Sequence, residues 1–223
     1  MTRELNSVKA VIFDMDGLLI ASEKIVYQLN QELVASYGKV FDLDDYVRNY
    51  SGKTAVVNMI HLIEQFQLPF DAAEGLERMR KLEHKYLEQG IELHKGAREL
   101  LQYLKEKHCK MILATSSDKE RAVKILSKNR VLQYFDAMAF GPEVKRGKPY
   151  PDIFLKACEK AGEMPEHCLV LEDSEAGIKA AHEAGVPVIC VPDLKRPARE
   201  FAEMTICVVE SLSDVMEYLK TQY

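Results

Sequence analysis

The sequence predicts an α/β fold: a parallel sheet core with helices on both faces, plus an inserted α-helical subdomain. Three observations lead there. Short, continuous apolar runs recur along the chain, helical patterns separate them, and one long stretch, residues 21–92, breaks the alternation with helix alone. Apolar runs of strand length suit strands buried on both faces, and such strands belong to parallel sheets whose crossovers are helices.

The first run, 8–14, holds Val8, Ala10, Val11, Ile12 and Phe13 and leads straight into Asp14 and Asp16. In the helical stretch, QLNQELVASYG ends at Gly38, TAVVNMIHLIEQF stops before Pro69, and ERMRKLEHKYLEQG ends at Gly90. Residues 97–107 place Ala97, Leu100, Leu101 and Leu104 at the i, i+3, i+4, i+7 spacing of a helix face. Further strands are expected at 110–115, 136–140, 168–172, 186–191 and 204–209. Helices are expected at 119–128, at 152–161 before Gly162, and at 175–184 before Gly185. The expected domains are a Rossmann-like α/β core, 1–20 and 93–223, and a helical subdomain, 21–92.

Composition narrows the function classes. Hydrophobic residues at 47% allow a sizeable core, and a net charge of −5 gives no support for nucleic acid as the main partner. No apolar run reaches membrane-span length, and MTRELNSVKA carries no signal-peptide apolar region. The five cysteines are odd in number and form no CxxC pair, so a reduced, cytoplasmic setting is expected and zinc is not. The assembly expected is a monomer or a small homo-oligomer.

In open α/β sheets, ligands bind beyond the carboxyl ends of the strands. The first strand delivers Asp14 and Asp16 there, the second Thr115 and Ser116, and the fourth Glu172 and Asp173. The loop GPEVKRGKPYPDIF adds Lys148. Alone, each has a plainer reading: a turn, a helix cap, a solvated lysine. Their recurrence at comparable places in one frame points to a site. Carboxylates, hydroxyls and one ammonium suit magnesium-dependent phosphoryl transfer, because Mg2+ takes one or two carboxylates plus waters and phosphate oxygens. Asp14 and Asp173 could supply those ligands, with Thr115 and Ser116 donating to phosphate and Lys148 neutralising it. Ser117-x-x-Glu120 reads as a capping box that would aim a helix start at the same anion. SGKTAVV (51–57) ends like a P-loop, but Val47 stands where that motif needs its first glycine.

FDMDGLLIASE, the ATSS strand end, EVKRGKPYPDIF and LVLEDSEAGIKAAHEAG together resemble the haloacid dehalogenase-like hydrolase superfamily, in its branch similar to β-phosphoglucomutase and small-metabolite phosphatases. The resemblance covers nearly the whole chain. It implies Asp14 as nucleophile and metal ligand, and Asp16 as general acid/base with its backbone carbonyl on the metal. Thr115 and Ser116 would hold the phosphoryl group, Lys148 would bridge nucleophile and phosphate, and Glu172 with Asp173 would complete the Mg2+ site. It also implies that 21–92 is a cap that closes over a small phosphorylated metabolite. Relatives carry an Asp where this chain has Ala21, and the mutases carry a His at Val26 and an Arg at Ala55. Those losses favour hydrolysis over the mutase alternative. Haloacid dehalogenases lack the second acid, which Asp16 supplies here. A non-catalytic protein on this fold would have lost acids that this chain keeps.

Overall fold

The computed structural model describes residues 8–222. Six parallel strands form one sheet in the order β3-β2-β1-β4-β5-β6. They are β1 (Ala10–Phe13), β2 (Lys110–Thr115), β3 (Ala137–Phe140), β4 (Cys168–Glu172), β5 (Val188–Cys190) and β6 (Cys207–Val208). β1 lies at the centre, Ala10 to Phe13 pairing with Lys110 to Leu113 on one side and Cys168 to Leu171 on the other. The Asp14 N–H extends that pairing to the Leu171 carbonyl. The sheet's order reverses direction at β1, so the crevice beyond it is where such sheets bind ligands.

The alternation of side chains along each strand divides the core. Ala10, Ile12, Ile112, Ala114, Val170 and Val188 face a cluster shared with α7 (Asp152–Ala161) and α8 (Glu175–Glu183). Val11, Phe13, Met111, Leu113, Leu169, Leu171 and Ile189 point the other way and are equally buried. α5 (Ala97–Glu106) contacts β2 and packs on α10 (Leu212–Gln222). Both faces of the sheet are therefore covered, as continuous apolar strands require. α6 (Lys119–Lys128) follows β2, and the short α9 (Arg199–Ala202) follows β5.

Between β1 and α5 come α1 (Ser22–Ala35), α2 (Leu43–Asn49), α3 (Ala55–Phe66) and α4 (Ala72–Gln89). Contacts divide the chain into two units, one running to Ala21 and resuming at Glu92, the other Ser22–Ile91. The second unit has its own core of Leu33, Val34, Phe41, Tyr46, Tyr50, Met59, Leu62 and Leu68. Asp42, Thr54 and Asp71 cap α2, α3 and α4 through side-chain oxygens on backbone N–H groups. Val26 packs against this core, and Ala55 is an exposed first residue of α3.

Two elements differ from expectation. The capping box at Ser117 does not form: Asp118 is the N-cap of α6 and accepts from the Arg121 N–H at 2.8 Å. An Asp one residue nearer the helix outcompetes the serine for the free N–H groups, and the Ser117 hydroxyl turns elsewhere. The α10 helix was not anticipated, although Leu212, Val215 and Leu219, all buried, recur at helical spacing.

Candidate active site

The exit of β1 carries Asp14, whose side chain is 8% exposed. It meets Lys148 directly, Nζ donating to Asp14 Oδ1 and to Glu172 Oε1, each at 2.5 Å. Lys148 arrives on the loop between β3 and α7, and its ammonium also lies 5.0 Å from the centre of the Phe154 ring. Glu172, fully buried at the end of β4, spends its other oxygen, Oε2, on three donors: the Asp173 and Ser174 N–H groups and the Ser174 hydroxyl. Ser174 Oγ in turn accepts from Gly177 N–H and caps α8. Ser174 thus carries the capping role of Glu-Asp-Ser, while Glu172 beside it meets Lys148.

Two glycines make room for the acids. Gly17 has φ of +85°, a conformation that side chains disfavour, and a Cβ there would run into the Asp173 carboxylate. Gly177 lies inside α8, where a Cβ would collide with the Glu172 carboxylate.

Asp14, Glu172 and Asp173 each place a carboxylate oxygen within 4.8 Å of the others. Two of these acids, Asp14 and Glu172, are buried around the Lys148 ammonium, and Asp173 is half-buried beside them. Burial is the largest cause that pushes the Asp14 carboxyl up to about 7; Lys148 opposes it, while Glu172 and Asp16 add to it. Burial also works against the Lys148 ammonium, but Asp14 and Glu172 outweigh it and hold Lys148 above the ordinary lysine range. An oxygen-only donor set of three carboxylates fits a hard divalent cation.

Of the residues expected at the site, Asp14, Lys148, Glu172 and Asp173 converge. Asp16 is half-buried, and its carboxylate is held by Ser117 and Arg121. Thr115 is buried at the end of β2 and its hydroxyl oxygen accepts from the Ser117 N–H at 3.1 Å; Ser116 is exposed beside it. Neither hydrogen-bonds to Asp14 among the described residues. Arg121 and Gly177 carry no signal in the sequence, whereas Gly17 and Ser174 stand in the strand-end runs DMDG and EDS, where they read as a turn and a helix cap.

Residues 11–191 match the family model described as haloacid dehalogenase-like hydrolase. A phosphorylated carbohydrates phosphatase from Thermotoga maritima is 33% identical over 179 residues, 80% of this chain and 82% of that protein. The mitochondrial (DL)-glycerol-3-phosphatase 1 of Arabidopsis thaliana is 31% identical, covering 93% of this chain and 72% of that one. Among solved structures, a Thermotoga maritima protein described as a "putative beta-phosphoglucomutase" has a TM-score of 0.81 at 30% identity, covering 96% of this chain and 99% of that one.

Two outcomes are expected. An acid whose pKa is higher folded than unfolded contributes stability that is full below the unfolded value, about 4, and is lost as pH rises through about 7. Lys148, raised rather than lowered, does not titrate in that window. Urea unfolding of the metal-free protein at about pH 5 and pH 8 therefore shows a decline that Asp14→Asn lessens. Parallel declines in both proteins would contradict it. Gly177→Ala, which by helix propensity alone should stabilise α8, instead displaces Glu172. It is expected to weaken divalent-cation affinity about tenfold or more in a thermal-shift titration; an unchanged affinity would contradict the placement.

Proposed function

We propose that this chain, which belongs to the haloacid dehalogenase-like hydrolase family, is a magnesium-dependent phosphatase that hydrolyses a small phosphorylated metabolite through a phosphoenzyme on Asp14. The observation that carries the reading is the buried contact of Asp14 with Lys148 and Glu172, beside Asp173, at the switch point of a parallel sheet.

In the first half-reaction an Asp14 carboxylate oxygen attacks phosphorus and the bond to the leaving oxygen breaks. Asp16, as carboxylic acid, gives that oxygen its proton. In the second, Asp16 takes a proton from water as the water attacks phosphorus, the bond to Asp14 breaks, and inorganic phosphate leaves. Lys148 keeps Asp14 oriented through Oδ1 and offsets charge on the phosphoryl oxygens. Thr115 and Ser116, at the exit of β2, would hold the phosphoryl group with hydroxyl and backbone N–H donors. Asp14, Glu172 and Asp173, with the Asp16 backbone carbonyl, would hold Mg2+. The ion would neutralise phosphate charge and orient its oxygens for in-line attack.

The relatives named for phosphorylated carbohydrates and for glycerol 3-phosphate support a small phosphorylated metabolite, with a sugar phosphate among the first to test. The structural likeness to the protein described as a β-phosphoglucomutase keeps isomerisation as the second reading. Against it, Val26 is engaged in a hydrophobic core and Ala55 offers no cation to a second phosphate. No described helix is long and apolar enough to cross a membrane, and all five cysteines are free. We assign the protein to the cytoplasm on the second observation, as a monomer or small homo-oligomer without nucleic-acid or membrane partners.

A panel of phosphorylated metabolites, assayed with magnesium for both inorganic phosphate and isomer, tests the proposal. Phosphate without isomer is expected, abolished by Asp14→Asn and by chelation. Isomer formation would select the mutase reading. Turnover that survives a chelator, or an Asp14→Asn protein as active as wild type, would refute the mechanism.

A further inference from the structure

Arg121 belongs to none of the motifs that point to the site, yet it is the residue that meets Asp16. Its guanidinium forks the carboxylate, Nη1 donating to Oδ2 at 2.9 Å and Nη2 to Oδ1 at 2.8 Å. Nη1 also donates to the Ser117 hydroxyl at 2.7 Å, and that hydroxyl donates to Asp16 Oδ2 at 3.0 Å. Three side chains, from the loop after β1, the loop after β2 and the first turn of α6, thus close a ring of hydrogen bonds. The Arg121 side chain is only 16% exposed and Asp16 35%. An exposed single-contact pair would contribute little. This one is bidentate, with its guanidinium largely covered, and a two-point fork fixes a carboxylate's plane as well as its place. The guanidinium has a firm base, since the Arg121 N–H is the group that Asp118 caps.

We propose that Arg121 is a positioning residue for Asp16: its fork sets the plane and direction of the carboxylate that moves the proton, and Ser117 completes the hold. The inference rests on the phosphatase reading, in which Asp16 gives its proton to the leaving oxygen and regains one from water. When one Asp16 oxygen carries the proton to be donated, that oxygen leaves the fork and the other keeps it. Without the fork the side chain turns about its own torsions, and a proton donor misplaced by an ångström loses much of its effect. In the step that forms the phosphoenzyme, which kcat/KM reports, the loss registers only where the leaving oxygen needs a proton; hydrolysis of the phosphoenzyme, which also uses Asp16, is common to all substrates. An alkoxide does; p-nitrophenolate departs without one. A residue with a merely structural role would affect both kinds of substrate alike.

The test compares Arg121→Met and Arg121→Lys with wild type in magnesium, on p-nitrophenyl phosphate and on whichever alkyl phosphomonoester of the panel the wild type turns over fastest. For Arg121→Met, kcat/KM on the alkyl ester, which reports phosphoenzyme formation alone, is expected to fall at least about tenfold. The fall on p-nitrophenyl phosphate should be no more than about twofold. Arg121→Lys, which keeps the charge and loses the fork, should restore only part of the alkyl rate. Equal falls in kcat/KM on both esters, or a wild-type kcat/KM on the alkyl ester, would overturn the role. If Arg121→Met does not fold, Ser117→Ala, which cuts one side of the ring, should show a smaller split in the same direction; no split overturns the role equally. A wild-type protein that hydrolyses neither ester is a different result, one that refutes the phosphatase reading and this role with it.

Discussion

The Lys148 ammonium, buried between the carboxylates of Asp14 and Glu172, is the interaction on which the rest of the site depends. A buried ammonium is costly unless it is paired and hydrogen-bonded, so the chain must bring the exits of β1 and β4 together around it. Parallel pairing of β1 with β4 does this, and the Asp14 N–H bond to Leu171 fixes the register at the point of exit. Phe154 supplies an aromatic face, and the Ser174 cap keeps Glu172 turned toward Lys148. Asp173 sets a third carboxylate beside the pair. Burial, more than the neighbouring acids, raises Asp14 far above an ordinary carboxyl, and the three carboxylates lie close enough together to share a cation.

Such an arrangement works against the fold that carries it. Three acids gathered at one edge of an apolar sheet, beside a glycine with positive φ and another inside a helix, break several local rules at once. Conflicts of this kind collect where function requires them. The site stays in place because the sheet around it is fully covered: β1 is buried along its whole length, and apolar side chains from α7 and α8 fill one face. The helical unit, Ser22–Ile91, depends instead on a cluster of aromatic rings, with Phe41 edge-on to Tyr46, Tyr50 and Phe66.

Most of the frame was legible because it rests on periodicity. AVIF, LVL and the ALL-type spacing of α5 announce their burial in one dimension. The acids at strand ends were legible because the topology tells where a parallel sheet binds its ligands. What escaped depends on three-dimensional approach. Nothing in DKERAV separates Arg121 from a solvated surface arginine, since its partner lies 105 residues away in sequence. Gly177 reads as an ordinary small residue of the helix EAGIKAAHE, and only the position of Glu172 explains it. The Ser117 box failed because two capping residues stood side by side and sequence could not rank them.

The central claim is that the Asp14 carboxylate attacks phosphorus. Acid-quenching the enzyme during turnover of an alkyl phosphate, followed by mass spectrometry of its peptides, tests it most directly. The account predicts a phosphoryl group on the peptide containing Asp14, located at that residue and removed by hydroxylamine. A phosphoryl group on another side chain, or turnover at full rate with no phosphorylated peptide when hydrolysis of the intermediate is slowed by low temperature, would contradict it.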